Sequence, residues 1–145
     1  MATLTWTSLG TLTTILSTEL NALASAARSI SAAIANATAT DRWMDLELNV
    51  TFCVAPSAGG YVGVYIVPSL DGTNYSDGDA SIVPPATMFV GSFPVRAVTT
   101  AQKVHIKQVP LQPLNFKVVV DNQSGQAFPA TGSTVKYRTY NEEIV

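Results

Sequence analysis

From Trp43 to Val54 the chain alternates without a break. Met44, Leu46, Leu48, Val50, Phe52 and Val54 are apolar, and Trp43, Asp45, Glu47, Asn49, Thr51 and Cys53 take the intervening places. A period of two over a dozen residues fits a pleated strand with one face buried and one facing water, and fits no helix. One such strand cannot stand alone, so the rest of the chain must supply partners for both its edges and its apolar face.

Those partners are visible. Tyr61 to Val67 is rich in β-branched and aromatic residues, the composition suited to a half-buried pleated surface. Pro68 halts it, and Asp71-Gly72, Asn74 and Asp77-Gly78 follow as a long polar loop with turn chemistry. Met88 to Val95 holds Gly91 and Pro94, which predicts an edge or bulged strand. Val104 and Ile106 alternate with Lys103, His105 and Lys107, and after Pro110 and Pro113 come Leu114, Phe116, Val118 and Val120. Asp121 to Gly125 reads as a turn. Val135, Tyr137 and Thr139 then oppose Lys136, Arg138 and Tyr140. Seven or eight strands separated by Gly, Pro and Asn signals predict a mainly β fold, an antiparallel β-sandwich or jelly roll.

The first 25 residues read differently. Thr3 to Trp6 suits a short strand or extended arm. Leu9, Leu12, Leu16, Leu20 and Leu23 then recur at spacings of three or four, one stripe of a helix. Thr11 or Ser17 would cap its start, and the threonines restrict the firm part to Ser17–Leu23. The expectation is an N-terminal arm and short helix over 1–25, followed by a sandwich over 26–145, in one domain. Ala26 to Asn36 fits strand and helix alike; strand is preferred because Ser29 and Ser31 would share a face.

At 145 residues the chain buries about 70% of its unfolded surface and needs no metal or disulfide staple. It is 47% hydrophobic but only 12% charged, about half the usual share. Depletion of charge with abundant Ser and Thr suits permanent contacts better than a freely diffusing enzyme. A net charge of −2 with no basic run disfavours nucleic acid. The N-terminus has no secretory pattern and no apolar run spans a membrane. Cys53, the sole cysteine, excludes an intrachain disulfide and is expected at a buried or boundary position.

Reactive constellations are hard to find. Asp45 and Glu47 fall on the solvent side of their strand and are expected to be solvated and to discourage edge pairing. His105, the only histidine, sits between two lysines on an exposed face. No G-x-S-x-G turn occurs. Ala58-Gly59-Gly60 lacks the ending of a phosphate loop and suits a hairpin turn. The loop residues Asp71, Asn74, Asp77 and Asp79 offer calcium-type oxygens, but without EF-hand spacing; Asx turns give the same composition. Tyr61, Tyr65, Tyr75, Trp43 and Trp6 could stack on a sugar, or pack against a sheet or a neighbouring chain. No cofactor or enzymatic activity is expected.

Three segments carry a resemblance. They are Thr3-Leu-Thr-Trp6 with Thr11 to Leu23, Pro68-Ser-Leu-Asp-Gly-Thr-Asn-Tyr-Ser-Asp-Gly78 after its Val/Tyr/Ile strand, and Asn115 to Gly125 with Val135 to Tyr140. Together they resemble small virion structural proteins of tailed bacteriophages. The resemblance implies a decoration or cement protein, made in the host cytoplasm and placed on the capsid surface, with the major capsid protein as partner. By analogy with decoration proteins it also implies a homo-oligomer, a trimer. The bet for the oligomer or capsid contact is Trp6, Leu9, Leu12 and Leu16, with Asp71, Asn74, Tyr75, Asp77 and Asp79 as a displayed loop. A tail-borne receptor- or glycan-binding module and a small jelly-roll capsid subunit are the alternatives.

Overall fold

A computed structural model describes residues 1–145. Its strands, in chain order, are β1 (Leu4–Trp6), β2 (Thr13–Leu16), β3 (Arg28–Ile30), β4 (Trp43–Val50), β5 (Tyr61–Ser69), β6 (Phe89–Pro94), β7 (Gln102–Pro110), β8 (Asn115–Gln123), β9 (Thr134–Tyr140) and β10 (Glu142–Ile144). Two four-stranded antiparallel sheets form the sandwich. Sheet I has the order β2-β9-β4-β7 and sheet II the order β3-β8-β5-β6; β1 and β10 pair separately as a terminal ribbon. The mainly β reading holds.

The apolar phase of each strand decides which face turns inward. Met44, Leu46, Leu48 and Val50 of β4 and Val135 of β9 meet Val62 and Val64 of β5 and Val118 and Val120 of β8 in one core of 18 buried residues. Burying a Val, Leu or Phe side chain is worth about 1.5–3 kcal/mol, so this interface dominates stability. The expected edge strand at Met88–Val95 is β6, on the rim of sheet II, with a register shift opposite Val64 and Tyr65.

Several expectations need correction. The N-terminal helix does not form. Thr13–Leu16 is a strand paired with β9, and Thr18–Leu20 makes one 3-10 turn. Isolated helices shorter than about 12–15 residues are marginal and threonine is a weak helix former, whereas the free edge of β9 offers ladder partners. The five leucines are therefore not one stripe: Leu16 and Leu20 are fully buried, while Leu9 and Leu12 are exposed. Residues 13–20 thus belong to the sandwich, not to an arm.

The long alternating strand stops at Val50. Residues 51–60 cross from sheet I to sheet II, which leaves Phe52 buried but Val54 and Cys53 exposed. Phe52 packs edge-on against Phe128 at 5.5 Å between ring centroids. Ala58-Gly59-Gly60 turns, but between sheets, not within a hairpin. Gly60 passes so close to β8 that a Cβ there would lie 2.7 Å from the Ser124 carbonyl oxygen. β8 continues to Gln123, past the expected turn at Asp121. Of Ala26 to Asn36, Arg28–Ile30 is a strand, Ile34 makes an isolated bridge to Phe116, and Asn36 opens a single helical turn.

Candidate functional site

The outward residues of β4 place their polar groups on the outer face of sheet I. Cross-strand pairing sets Asp45 beside Arg138 and Glu47 between Lys136 and His105. Opposite-charge neighbours across strands stabilise a sheet face, and here they also bury the carboxylates. Asp45 is a hub. Its Oδ2 accepts hydrogen bonds from Arg138 Nε and Nη2 at 3.2 and 3.0 Å, and its Oδ1 from Tyr140 Oη at 3.1 Å and the Gln108 N–H at 3.0 Å. The last bond closes a bulge: Lys107 and Gln108 together oppose Asp45, and Gln108 sits at φ 55°. Burial pushes the Asp45 carboxyl up, but the Gln108 N–H, the Arg138 guanidinium and the Tyr140 hydroxyl outweigh it, and the net direction is down.

Glu47 departs from expectation. It is 8% exposed, not solvated. Its Oε2 lies 2.9 Å from His105 Nε2, and Asn49 Nδ2 donates to Oε1 at 2.8 Å, with Lys103 Nζ at 4.0 Å. Burial raises this carboxyl, and the bonds from Asn49 and His105 with the Lys103 charge lower it further than burial lifts it. His105 is exposed, as expected, but its closest charge is this carboxylate, not a flanking lysine.

The terminal arm borders the same face. Trp6 stacks edge-on against Tyr140 at 5.5 Å, and Trp6 and Leu9 line one shallow depression with Lys107 and Arg138. Leu12 lines the next, with His105, Lys107 and Arg138. Trp6, Leu9 and Leu12 are each about half exposed (53%, 53% and 45%), so three of the four residues expected at a contact are available to one. Leu16 is not; it is core.

The loop after β5 lies on the opposite side. Arg28 Nη2 donates to the Ser81 carbonyl at 3.3 Å, and Lys117 Nζ sits 4.3 Å from the Tyr75 ring centroid. Arg28 and Lys117 belong to β3 and β8 of sheet II and point away from the core. Asp71 and Asp79 are used inside the loop. Asp71 accepts from the Asn74 and Thr73 N–H groups at 2.6 and 2.8 Å and from Asn74 Nδ2 at 2.7 Å, and these bonds hold its carboxyl far below the usual range. Asp79 accepts from the Ile82 and Ser81 N–H groups at 2.7 and 2.6 Å, which lowers its carboxyl too. These are Asx turns. No group of three or more His, Cys, Asp or Glu side chains converges as a metal-binding set.

The five aromatics that might have formed a sugar platform are split. Trp6 adjoins sheet I and Trp43 is on β4, where its indole N–H is buried without a partner. Tyr61 and Tyr65 are on β5 of sheet II, Tyr65 being stacked edge-on with Phe89, and Tyr75 is in the loop. Two buried amides were missed from the sequence, where Asn reads as turn chemistry. Asn122, fully buried, donates through Nδ2 to the carbonyls of Gln126, Leu23 and Ala24 at 2.8, 3.0 and 3.1 Å. Asn36 donates to Gln112 and Asp41 carbonyls at 2.7 and 3.0 Å. Only the alternating phase around Asn122 hinted that it lies in a strand. No helix is long and apolar enough to cross a membrane. No protein-family model matches the chain, and no curated protein matches it.

Proposed function

We propose that this chain is a non-enzymatic structural protein of a bacteriophage particle, a decoration or cement protein that docks on the capsid and bridges subunits of the major capsid protein. The observation that carries this reading is a rigid sandwich with half-exposed Trp6, Leu9 and Leu12 gathered along one face, beside polar groups that are engaged with one another. An aromatic and aliphatic cluster rimmed by Arg and Lys is the composition of a protein contact. The resemblance of three segments to phage virion proteins supports the particle setting. Weak contacts suffice there, because attachment at many symmetric sites multiplies effective affinity.

Strand order supports the jelly-roll form of the sandwich. Numbering β2 to β9 as 1 to 8, the sheets run 1-8-3-6 and 2-7-4-5, two interleaved Greek keys. The same order suits a small capsid subunit, the second reading. The test is to add purified protein to shells lacking it and image them by cryo-electron microscopy. Saturable density on the outer surface and a raised shell-rupture temperature are expected. Density forming the continuous shell would favour the second reading, and binding confined to the tail, or to glycans on an array, would overturn both.

A further inference from the structure

We propose that the outer face of sheet I and the 70–83 loop on the back of sheet II are the two halves of one head-to-tail contact between copies of this chain. The first half is basic. Of the eight Lys and Arg residues, Lys103, Lys107, Lys136 and Arg138 stand on the outer face of sheet I with the only histidine, against Asp45 and Glu47 alone. That is a net +2 (four cations less two carboxylates) on a chain of net −2. The second half is acidic: residues 70–83 hold Asp71, Asp77 and Asp79 and no cation, and with Asp121, Arg28 and Lys117 of the sheet II face beneath them the net is −2 (four carboxylates less two cations).

Each half also carries exposed apolar side chains. Leu70, Ile82 and Val83 are 85%, 52% and 58% exposed in the loop, and Trp6, Leu9 and Leu12 border the basic face. Apolar contact supplies affinity, and opposite sign supplies encounter rate and register. A two-fold contact of the basic face with itself would set lysines against lysines, a repulsive arrangement. The halves lie on opposite sides of the sandwich, because the loop is tied to outward residues of sheet II through Arg28 and Lys117. A second copy therefore adds head to tail, a heterologous contact that closes into a ring or extends as a filament according to the rotation between copies. The contact draws on Trp6, Leu9 and Leu12, the residues assigned above to the shell, so the two contacts compete for this border.

The test is sedimentation velocity of the full chain over a concentration series at low and high salt. Lys107, Lys136 and Asp77 form no ion pair within 4.0 Å, but Lys107 and Lys136 face Asp45 and Glu47 across the sheet. The charge reversals are therefore checked by thermal melting and run beside the neutral pair Lys107→Gln with Lys136→Gln, which should fold intact and weaken association in the same direction. Lys107→Glu with Lys136→Glu should weaken association about tenfold, as should Asp77→Lys, and all three together should recover most of the loss. High salt should weaken the wild type and leave the combined variant's ranking unchanged. A monomer at every concentration would overturn the proposal. So would an assembly indifferent to both sets, or a combined variant in which the two losses add. Association without shell binding would spare this contact while removing the decoration role, and the converse holds equally.

Discussion

Asn122→Ala is the substitution that most directly tests how the sandwich is closed. The side chain is fully buried, and its Nδ2 bonds three carbonyls, two in the Leu23–Ala24 segment and one at Gln126. Its Oδ1 accepts from Ser124 Oγ at 2.6 Å. It therefore ties the segment before β3 to the segment after β8, across about 98 residues of sequence. Truncation removes one donor from carbonyls that keep another, from the Phe128 N–H, the Ala27 N–H and Ser124 Oγ, and removes the Oδ1 acceptor of Ser124. Each hydrogen bond lost is worth about 0.5–1.5 kcal/mol net, so two amide N–H groups and the Oδ1 bond sum to about 3 kcal/mol. A domain of this size has about 5–15 kcal/mol in hand and loses about 3 °C of Tm per kcal/mol. The expected loss is thus about 10 °C, read by differential scanning calorimetry with urea unfolding for ΔG. Asn21→Ala, at an exposed position, should stay within about 0.5 kcal/mol. Asn122→Asp should be worse at neutral pH, where a carboxylate would face three carbonyl oxygens, and should recover as acid protonates it. If Asn122→Ala matched Asn21→Ala, the inference that this amide closes the fold would be refuted.

The leucine assignments separate cleanly: Leu16→Ala should cost about 3 kcal/mol and Leu12→Ala within about 0.5 kcal/mol by urea unfolding. Equal costs would restore the single-stripe helix. Asp45 and Glu47 have folded pKa values below their ordinary ones, so their stabilisation is present above about pH 4 and is lost as pH falls through the folded values. Asp45→Asn with Glu47→Gln should accordingly lower Tm at neutral pH and flatten the acid limb of the Tm–pH curve; a parallel shift at all pH values would contradict this. Gln108→Gly relieves a left-handed backbone at the β4–β7 bulge while keeping the N–H that Asp45 accepts, and should add about 0.5–1 kcal/mol, measured by the same unfolding curves.

The alternation of Met44 to Val50, of the strand from Tyr61, and of Phe116 to Val120 made the fold class legible, because strand periodicity is a local property of the backbone. Glycine at 91 and proline at 94 likewise marked β6 as a rim strand. The N-terminal leucines misled because spacing of three or four records only where apolar residues fall, not whether a helix can outcompete a waiting sheet edge. Trp6, Leu9 and Leu12 were identifiable as candidate contacts, but their exposure, and the loss of Leu16 to the core, came from the pairing of β2 with β9. Glu47 looked solvated because its alternation phase pointed outward; its burial comes from His105, 58 residues away, and from Asn49 folding back on it. Asn122 looked like a turn residue because its three carbonyl partners are remote or lie in irregular chain. What the chain determined by itself was the pleat, the inward phase and the shortage of charge. Which strands became neighbours, and so which polar groups were covered and which apolar ones left bare, was decided only by long-range pairing, since a ladder's partner is set by the free energy of the whole assembled core and not by adjacent residues.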